Sequence, residues 1–281
     1  MGHLQRIDIR GFKSIREMSL ELRPLNVLIG ANGVGKSNFV AAFKFLNELI
    51  NENLNLYVAL AGGADTFLHF GRRTTDELYF YIELAQDQVG QITNAYSCTL
   101  QPSAVDAFIF SDEVAYFHDR SRGFKQPLDI PLGSGHSETR LNLEASRQSV
   151  VSYVRKAVTS WRVYHFHDTS DRARIKGTGE VNDNVFFRPD GSNLAAYLYL
   201  LQKTEPAAYR NIVEIIRLVA PFFDDFDLKP DRRDESQIRL EWRESGSDAY
   251  FDANALSDGT LRFMCLATLM LQPKRRLPTT I

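Results

Sequence analysis

The residues with the clearest chemistry are Gly30-Ala31-Asn32-Gly33-Val34-Gly35-Lys36-Ser37, spaced as G-x-x-x-x-G-K-[ST]. Glycines at this spacing let the backbone curl until successive N–H groups point inward at a β-phosphate. Lys36 supplies a point charge to the β/γ oxygens, and the Ser37 hydroxyl is a ligand for Mg2+. The helix that follows turns the positive end of its dipole toward the same anion. The nucleotide-binding set is therefore Gly30, Asn32, Gly33, Val34, Gly35, Lys36, Ser37 and Asn38, with Ser37 on the metal. At average residue usage the pattern arises in about one chain in a hundred of this length. A Gly-rich turn with an exposed lysine is the plain alternative, but the runs on either side are those the phosphate reading requires.

Those runs must position the loop. Leu25 to Ile29 is largely apolar and reads as a central strand covered on both faces. After the loop, Phe39, Ala42, Phe43, Leu46 and Ile50 recur at helical spacing. Upstream, Ile7 and Ile9 alternate with Asp8 and Arg10, and Met18, Leu20 and Leu22 alternate with Glu17, Ser19 and Glu21, the pattern of two half-buried strands. From about residue 61 to 132 the chain reads as strands and loops, with DELYFYIEL and NAYSCTL the clearest and shorter ones at AFIF and VAYFH. A helix is expected over 143–159, then a strand at WRVYHFH, then a polar, mobile loop over 172–184. Helices follow at 194–201 and 207–219, bounded by Pro206 and Pro221. In the hairpin after them, Ile238, Leu240 and Trp242 alternate, residues 244–248 turn and AYF returns. No heptad run or internal repeat is visible, which excludes a long coiled coil.

Composition narrows the class. The chain has 281 residues, enough for one large domain or two lobes, and its 44% hydrophobic and 24% charged content is ordinary for a globular protein. A net charge of -2 argues against a globally basic nucleic-acid binder, though local patches remain open. Two cysteines, Cys98 and Cys265, suggest neither a disulfide framework nor a zinc site and fit a reducing cytoplasm. The start lacks an apolar signal core, and Arg6 stands where a myristoylation site wants Ser or Thr. The longest apolar run, Phe263 to Leu271, is far too short for a membrane span. The expectation is a cytoplasmic protein.

Phosphate loops serve many functions, so the flanks must choose. The stretch GFKSIREMSLELRPLNVLIGANGVGKSN, with Gly11-Phe12-Lys13-Ser14 on a short strand before the loop, resembles the head domain of RecF/SMC-type ABC ATPases. The resemblance implies an α/β fold, a P-loop NTPase with a mixed central sheet, an antiparallel β subdomain and a helical lobe. It also implies ATP and Mg as ligands, and it brings Lys13 and Ser14 near the adenine or α-phosphate. A second element supports it: Leu256-Ser257-Asp258-Gly259-Thr260, before LRFMCLATLML, is similar to the family's signature motif. A Ser N-cap before a buried helix explains the same residues more plainly. In the family, the residues matching Ser257, Asp258 and Gly259 meet the γ-phosphate held by another protomer, so that ATP joins two heads. Asp258 departs from the usual glycine and puts a negative charge beside that phosphate. The resemblance spans most of the chain and implies an ATP-dependent homodimer acting on DNA in repair or recombination. A nucleotide sensor partnering a nuclease or another anti-phage effector is the rival reading. A small-molecule kinase would not explain LSDGT, and the GFKS stretch speaks against a transporter ATPase.

In such proteins the signature helix leads into a Walker B strand ending Asp-Glu, whose acids hold Mg2+ and orient the attacking water. LPTTI, residues 277–281, stands where that strand begins, and no Asp-Glu pair is present. The resemblance therefore reads the chain as C-terminally truncated, with no catalytic residue of its own. Weak or absent hydrolysis is expected, and so is a sticky, unpaired edge near Leu25–Ile29.

The expected domains are 1–168, a nucleotide-binding lobe with the antiparallel β subdomain; 169–255, a helical lobe with the hairpin; and 256–281, the signature helix and strand start. His165 and His167 share a strand face but have no third metal ligand in view. The basic groups Arg162, Arg172, Arg174 and Lys176, then Arg232-Arg233, then Lys274-Arg275-Arg276, could touch DNA phosphates, although such runs are usually solvated faces. Asp224-Asp225 reads as a helix-to-strand loop.

Overall fold

A computed structural model of the chain describes residues 3–87, 89–144 and 149–273. It divides into two units, one running to Trp161 and the other beginning at Arg162.

The first unit is built on strands β1 (His3–Phe12), β2 (Ile15–Glu21), β3 (Leu78–Ala85), β4 (Ile92–Pro102), β5 (Phe108–Asp119) and β6 (Leu128–Gly133). They form one sheet in the order β2-β1-β3-β4-β5-β6, antiparallel at every ladder. The period-2 pattern decides which face is core: Ile7 and Ile9 are fully buried, as are Leu78, Phe80 and Ile82 on the adjacent strand β3. Four helices accompany the sheet: α1 (Lys36–Ile50), α2 (Leu54–Leu60), α3 (Leu141–Glu144) and α4 (Ser149–Thr159). Phe45 of α1 lies at ring-centroid distances of 5.5 Å from Phe12, 5.2 Å from Phe67 and 5.4 Å from Phe80. Burying a ring of this size contributes about 1.5–3 kcal/mol, which the edge-to-face and stacked pairs supplement. On the same helix, Phe43 meets Trp161 at 5.4 Å and Asn47 donates to the Val158 carbonyl at 2.9 Å.

Several elements differ from the sequence expectation. AFIF and VAYFH are one long strand, β5, because the polar residues between them remain in the ladder. Glu113, fully buried there, accepts hydrogen bonds from the Tyr96 hydroxyl (2.8 Å), His136 (2.8 Å), the Arg140 amide (3.0 Å) and the Thr139 hydroxyl. Four donors offset the cost of burying a carboxylate, so the apolar pattern breaks and the strand does not. Leu25–Ile29 joins no ladder among the described residues; Leu25, Val27 and Ile29 are 72%, 73% and 90% exposed. An apolar extended segment with no neighbour to pair with stays outside the sheet.

The second unit contains β7 (Thr178–Glu180), α5 (Leu194–Thr204), α6 (Pro206–Val219), β8 (Phe223–Phe226), β9 (Gln237–Arg239), β10 (Glu241–Glu244), β11 (Tyr250–Asp252) and α7 (Asp258–Leu271). Pro206 occupies the first turn of α6, where its missing N–H costs nothing. The three helices share one core, including Leu198, Leu201, Ile212, Ile216, Leu261 and Met264. The expected hairpin forms between β10 and β11, and β8 joins its other side. Asp224 and Asp225 therefore lie within a strand, where Arg217 holds the first at 3.0 Å and the Tyr209 hydroxyl donates to the second at 2.7 Å. The stretch 172–184 is also ordered, with a 3-10 turn at Arg174–Lys176 and β7 paired to β9. WRVYHFH does not form a strand: it is tied to a loop by His165 N–H donating to the Pro189 carbonyl (2.8 Å) and by the Tyr164 hydroxyl donating to that of Phe187 (3.0 Å). LPTTI and Lys274-Arg275-Arg276 lie outside the described residues.

Candidate nucleotide site

The loop from Gly30 to Gly35 leads directly into α1, and its shape depends on glycine. Gly33 has φ 86° and Gly35 has φ 103°, left-handed conformations that cost an L residue about 1–2 kcal/mol. Gly35 is also the N-cap of α1, which has no side-chain cap and no acidic residue in its first turn. The N–H groups of that turn are thus not satisfied by the helix itself and face outward with the dipole behind them. A helix start of this kind suits an anion.

Lys36 folds back over the loop: its ammonium donates to the carbonyls of Gly30 (2.6 Å) and Ala31 (2.8 Å). The charge is thereby held across the mouth of the curl. The Ser37 hydroxyl is exposed and has no hydrogen-bond partner among the described residues, so it is available to a hard cation such as Mg2+. Asn32, Gly33 and Val34 are exposed on the outer turn of the loop.

Ser14 reaches the same place from the β1–β2 turn. Asn38 Nδ2 donates to Ser14 Oγ at 2.7 Å, and a Cβ on Gly35 would lie 3.0 Å from that oxygen. The flank and the loop are therefore in contact. Lys13 is held beside them in a left-handed conformation, φ 49°, fixed by its N–H to the Phe67 carbonyl (2.8 Å) and its carbonyl to His69 Nδ1 (2.7 Å). Since that carbonyl can only accept, His69 must carry its proton on Nδ1. The Lys13 ammonium lies 5.2 Å from the Phe67 ring and 5.8 Å from that of Phe12, not on the loop. His69 was missed by sequence reasoning, and no spacing or motif marks it.

In the second unit, Ser257 is the N-cap of α7, with its Oγ accepting from the Thr260 amide at 3.1 Å. The capping role is thus real. Ser257, Asp258 and Gly259 are nevertheless exposed, and a Cβ on Gly259 would meet nothing closer than Ser257 Oγ at 3.9 Å. This helix start is open to a close approach. Asp258 sits in the first turn, where its charge suits the dipole and competes with any incoming phosphate. Arg262, one turn on, donates to the His167 carbonyl (3.0 Å) and Thr169 (3.2 Å), fixing α7 against the end of WRVYHFH. The His165 and His167 rings stack 4.7 Å apart, but no group of three metal-ligating residues occurs among the described residues.

Comparison with known proteins bears on the fold. Residues 3–130 match the family model of the AAA ATPase domain. Over 96% of this chain and 76% of the other, the fold is similar to that of the Smc head crystallised with the C-winged-helix domain of ScpA, at 12% identity and a TM-score of 0.53. A structure from work on ATP-driven dimerisation and DNA-stimulated activation of SMC ATPases aligns over 38% of this chain and 68% of its own, at 14% identity and a TM-score of 0.29, too little overlap to argue from. No curated protein matches the sequence. The fold is that of the SMC head. Segment 3–130 is similar to AAA ATPase domains, and the likeness in fold extends over nearly the whole chain. No helix among the described residues is long and apolar enough to cross a membrane.

Proposed function

We propose that the chain binds ATP with Mg2+ on the Gly30–Ser37 loop and that bound ATP joins two copies of it. The observation carrying the first part is the uncapped start of α1, entered through left-handed glycines with a lysine across the curl and a free serine hydroxyl beside it. Gly30, Asn32, Gly33, Val34 and Gly35 would surround the phosphates, with Ser37 on Mg2+ and Ser14, Asn38 and Lys13 toward the nucleoside side. Magnesium held there would neutralise phosphate charge. The second part rests on the exposed start of α7, where Ser257 and Gly259 would meet the γ-phosphate of a partner copy. Work on DNA in repair or recombination is the setting that the family likeness suggests.

Light scattering with a non-hydrolysable ATP analogue and Mg2+ tests the pairing. The expected result is a shift from monomer to dimer, absent in Lys36→Ala, which loses the nucleotide, and absent in Ser257→Arg, which keeps it. A chain that binds the analogue and stays monomeric would refute the dimer.

A further inference from the structure

We propose that the second unit carries a phosphate-binding site of its own, in the cavity walled by Arg172, Arg174, Lys176 and Arg188. This goes beyond the nucleotide reading above, shares no residue with it and does not depend on it. The cavity, of about 510 Å3, lies among the 3-10 turn Arg174–Lys176, strand β7 and the loop that leads into α5. Four cations line it against two carboxylates, Asp171 and Asp183. Asp183 is taken by Arg188 at 2.7 Å. Arg172 and Arg174 are exposed and have no ion-pair partner among the described residues.

Lys176 separates this cavity from an ordinary solvated basic run. Its side chain is only 6% exposed, and its nearest carboxylate is Asp171, 3.8 Å away on a side chain fully exposed to water. It makes no side-chain hydrogen bond among the described residues. Burying an ammonium with so distant and screened a partner is unfavourable unless another anion completes its shell. The walls supply what a phosphate needs: two free guanidinium forks that pair with oxyanions bidentately, and the hydroxyls of Thr178 and Ser192. No aromatic ring lines the cavity, so the chemistry recognised is the phosphate group, not a base. Such groups reach the site either as a small polyphosphate or along a nucleic-acid backbone.

The test is calorimetric titration of inorganic triphosphate into the full chain carrying Lys36→Ala, which silences the P-loop. Saturable uptake of one equivalent is expected, with affinity falling about tenfold or more in the double variant Arg172→Gln/Arg174→Gln. Lys176→Met should weaken it at least as much. If that buried position proves needed for folding, the exposed arginine pair still decides. No uptake by the Lys36→Ala chain, or uptake unchanged in the arginine double variant, overturns the site. A parallel titration with a short mixed-sequence oligonucleotide identifies the source. Binding tighter than triphosphate and steeply weakened by salt indicates a nucleic-acid backbone, and weaker binding indicates a small polyphosphate. Either result upholds the site when the double variant abolishes it.

Discussion

Replacing Gly35 by alanine should damage nucleotide binding more than the same change at Gly33, and the structure says by how much. Both residues have positive φ, 103° and 86°, so alanine costs about 1–2 kcal/mol at either. They differ in what the new methyl meets. At Gly33 there is nothing within 4 Å, whereas at Gly35 the Cβ lies 3.0 Å from Ser14 Oγ. That oxygen cannot yield freely, because it accepts the 2.7 Å hydrogen bond from Asn38, worth about 0.5–1.5 kcal/mol. Gly33→Ala should therefore lose roughly 5- to 30-fold in affinity and Gly35→Ala roughly 10- to 300-fold. The assay is titration with a fluorescent ATP analogue in Mg2+, with thermal unfolding to confirm that both variants fold. In a Ser14→Gly background the excess penalty at Gly35 should vanish while the backbone strain remains. Equal losses at the two glycines, or Gly35→Ala within threefold of the parent, would refute the idea that the GFKS turn supports the loop by contact.

Three further outcomes are expected. Ser257→Ala removes the cap of α7 and should cost about 0.5–2 kcal/mol in denaturant unfolding, whereas Ser257→Asp should recover most of it. Burial pushes the Cys98 and Cys265 thiols well above their usual range, so neither should react with a thiol reagent at pH 8 until the chain is unfolded. Val27→Lys, on the exposed Leu25–Ile29 segment, should reduce aggregation of the purified protein and leave ATP-analogue binding intact; unchanged light scattering would show that this segment is not the adhesive surface.

The turn into α1 was legible because its signals are local: a glycine-rich run followed at once by apolar residues at helical spacing marks where the helix starts. Helices α5, α6 and α7 were legible for a similar reason, since their apolar spacing and flanking Pro or Ser signals lie within the segment itself. What failed was whatever depends on a distant neighbour. Nothing within LNVLI reveals whether a strand will lie beside it, so its apolar run read as buried and is exposed. Glu113 looked like a break in β5 because its four donors come from β4 and from residues 136–140. WRVYHFH alternates as a strand does, but its rings pack on Phe187 in place of a sheet. The meeting of Ser14 with Gly35 and Asn38 was anticipated only through family likeness, because twenty residues of chain separate them.

The aromatic grip on α1 has a mechanical corollary. Phe45 follows Lys36 by nine residues, about 14 Å of helix axis, and it is clamped by rings from β1, β3 and the 3-10 turn that ends at Phe67. A rod pinned so near its working end has little slack. Any force applied at the tip of α1 is therefore handed on to the six-stranded sheet through these rings.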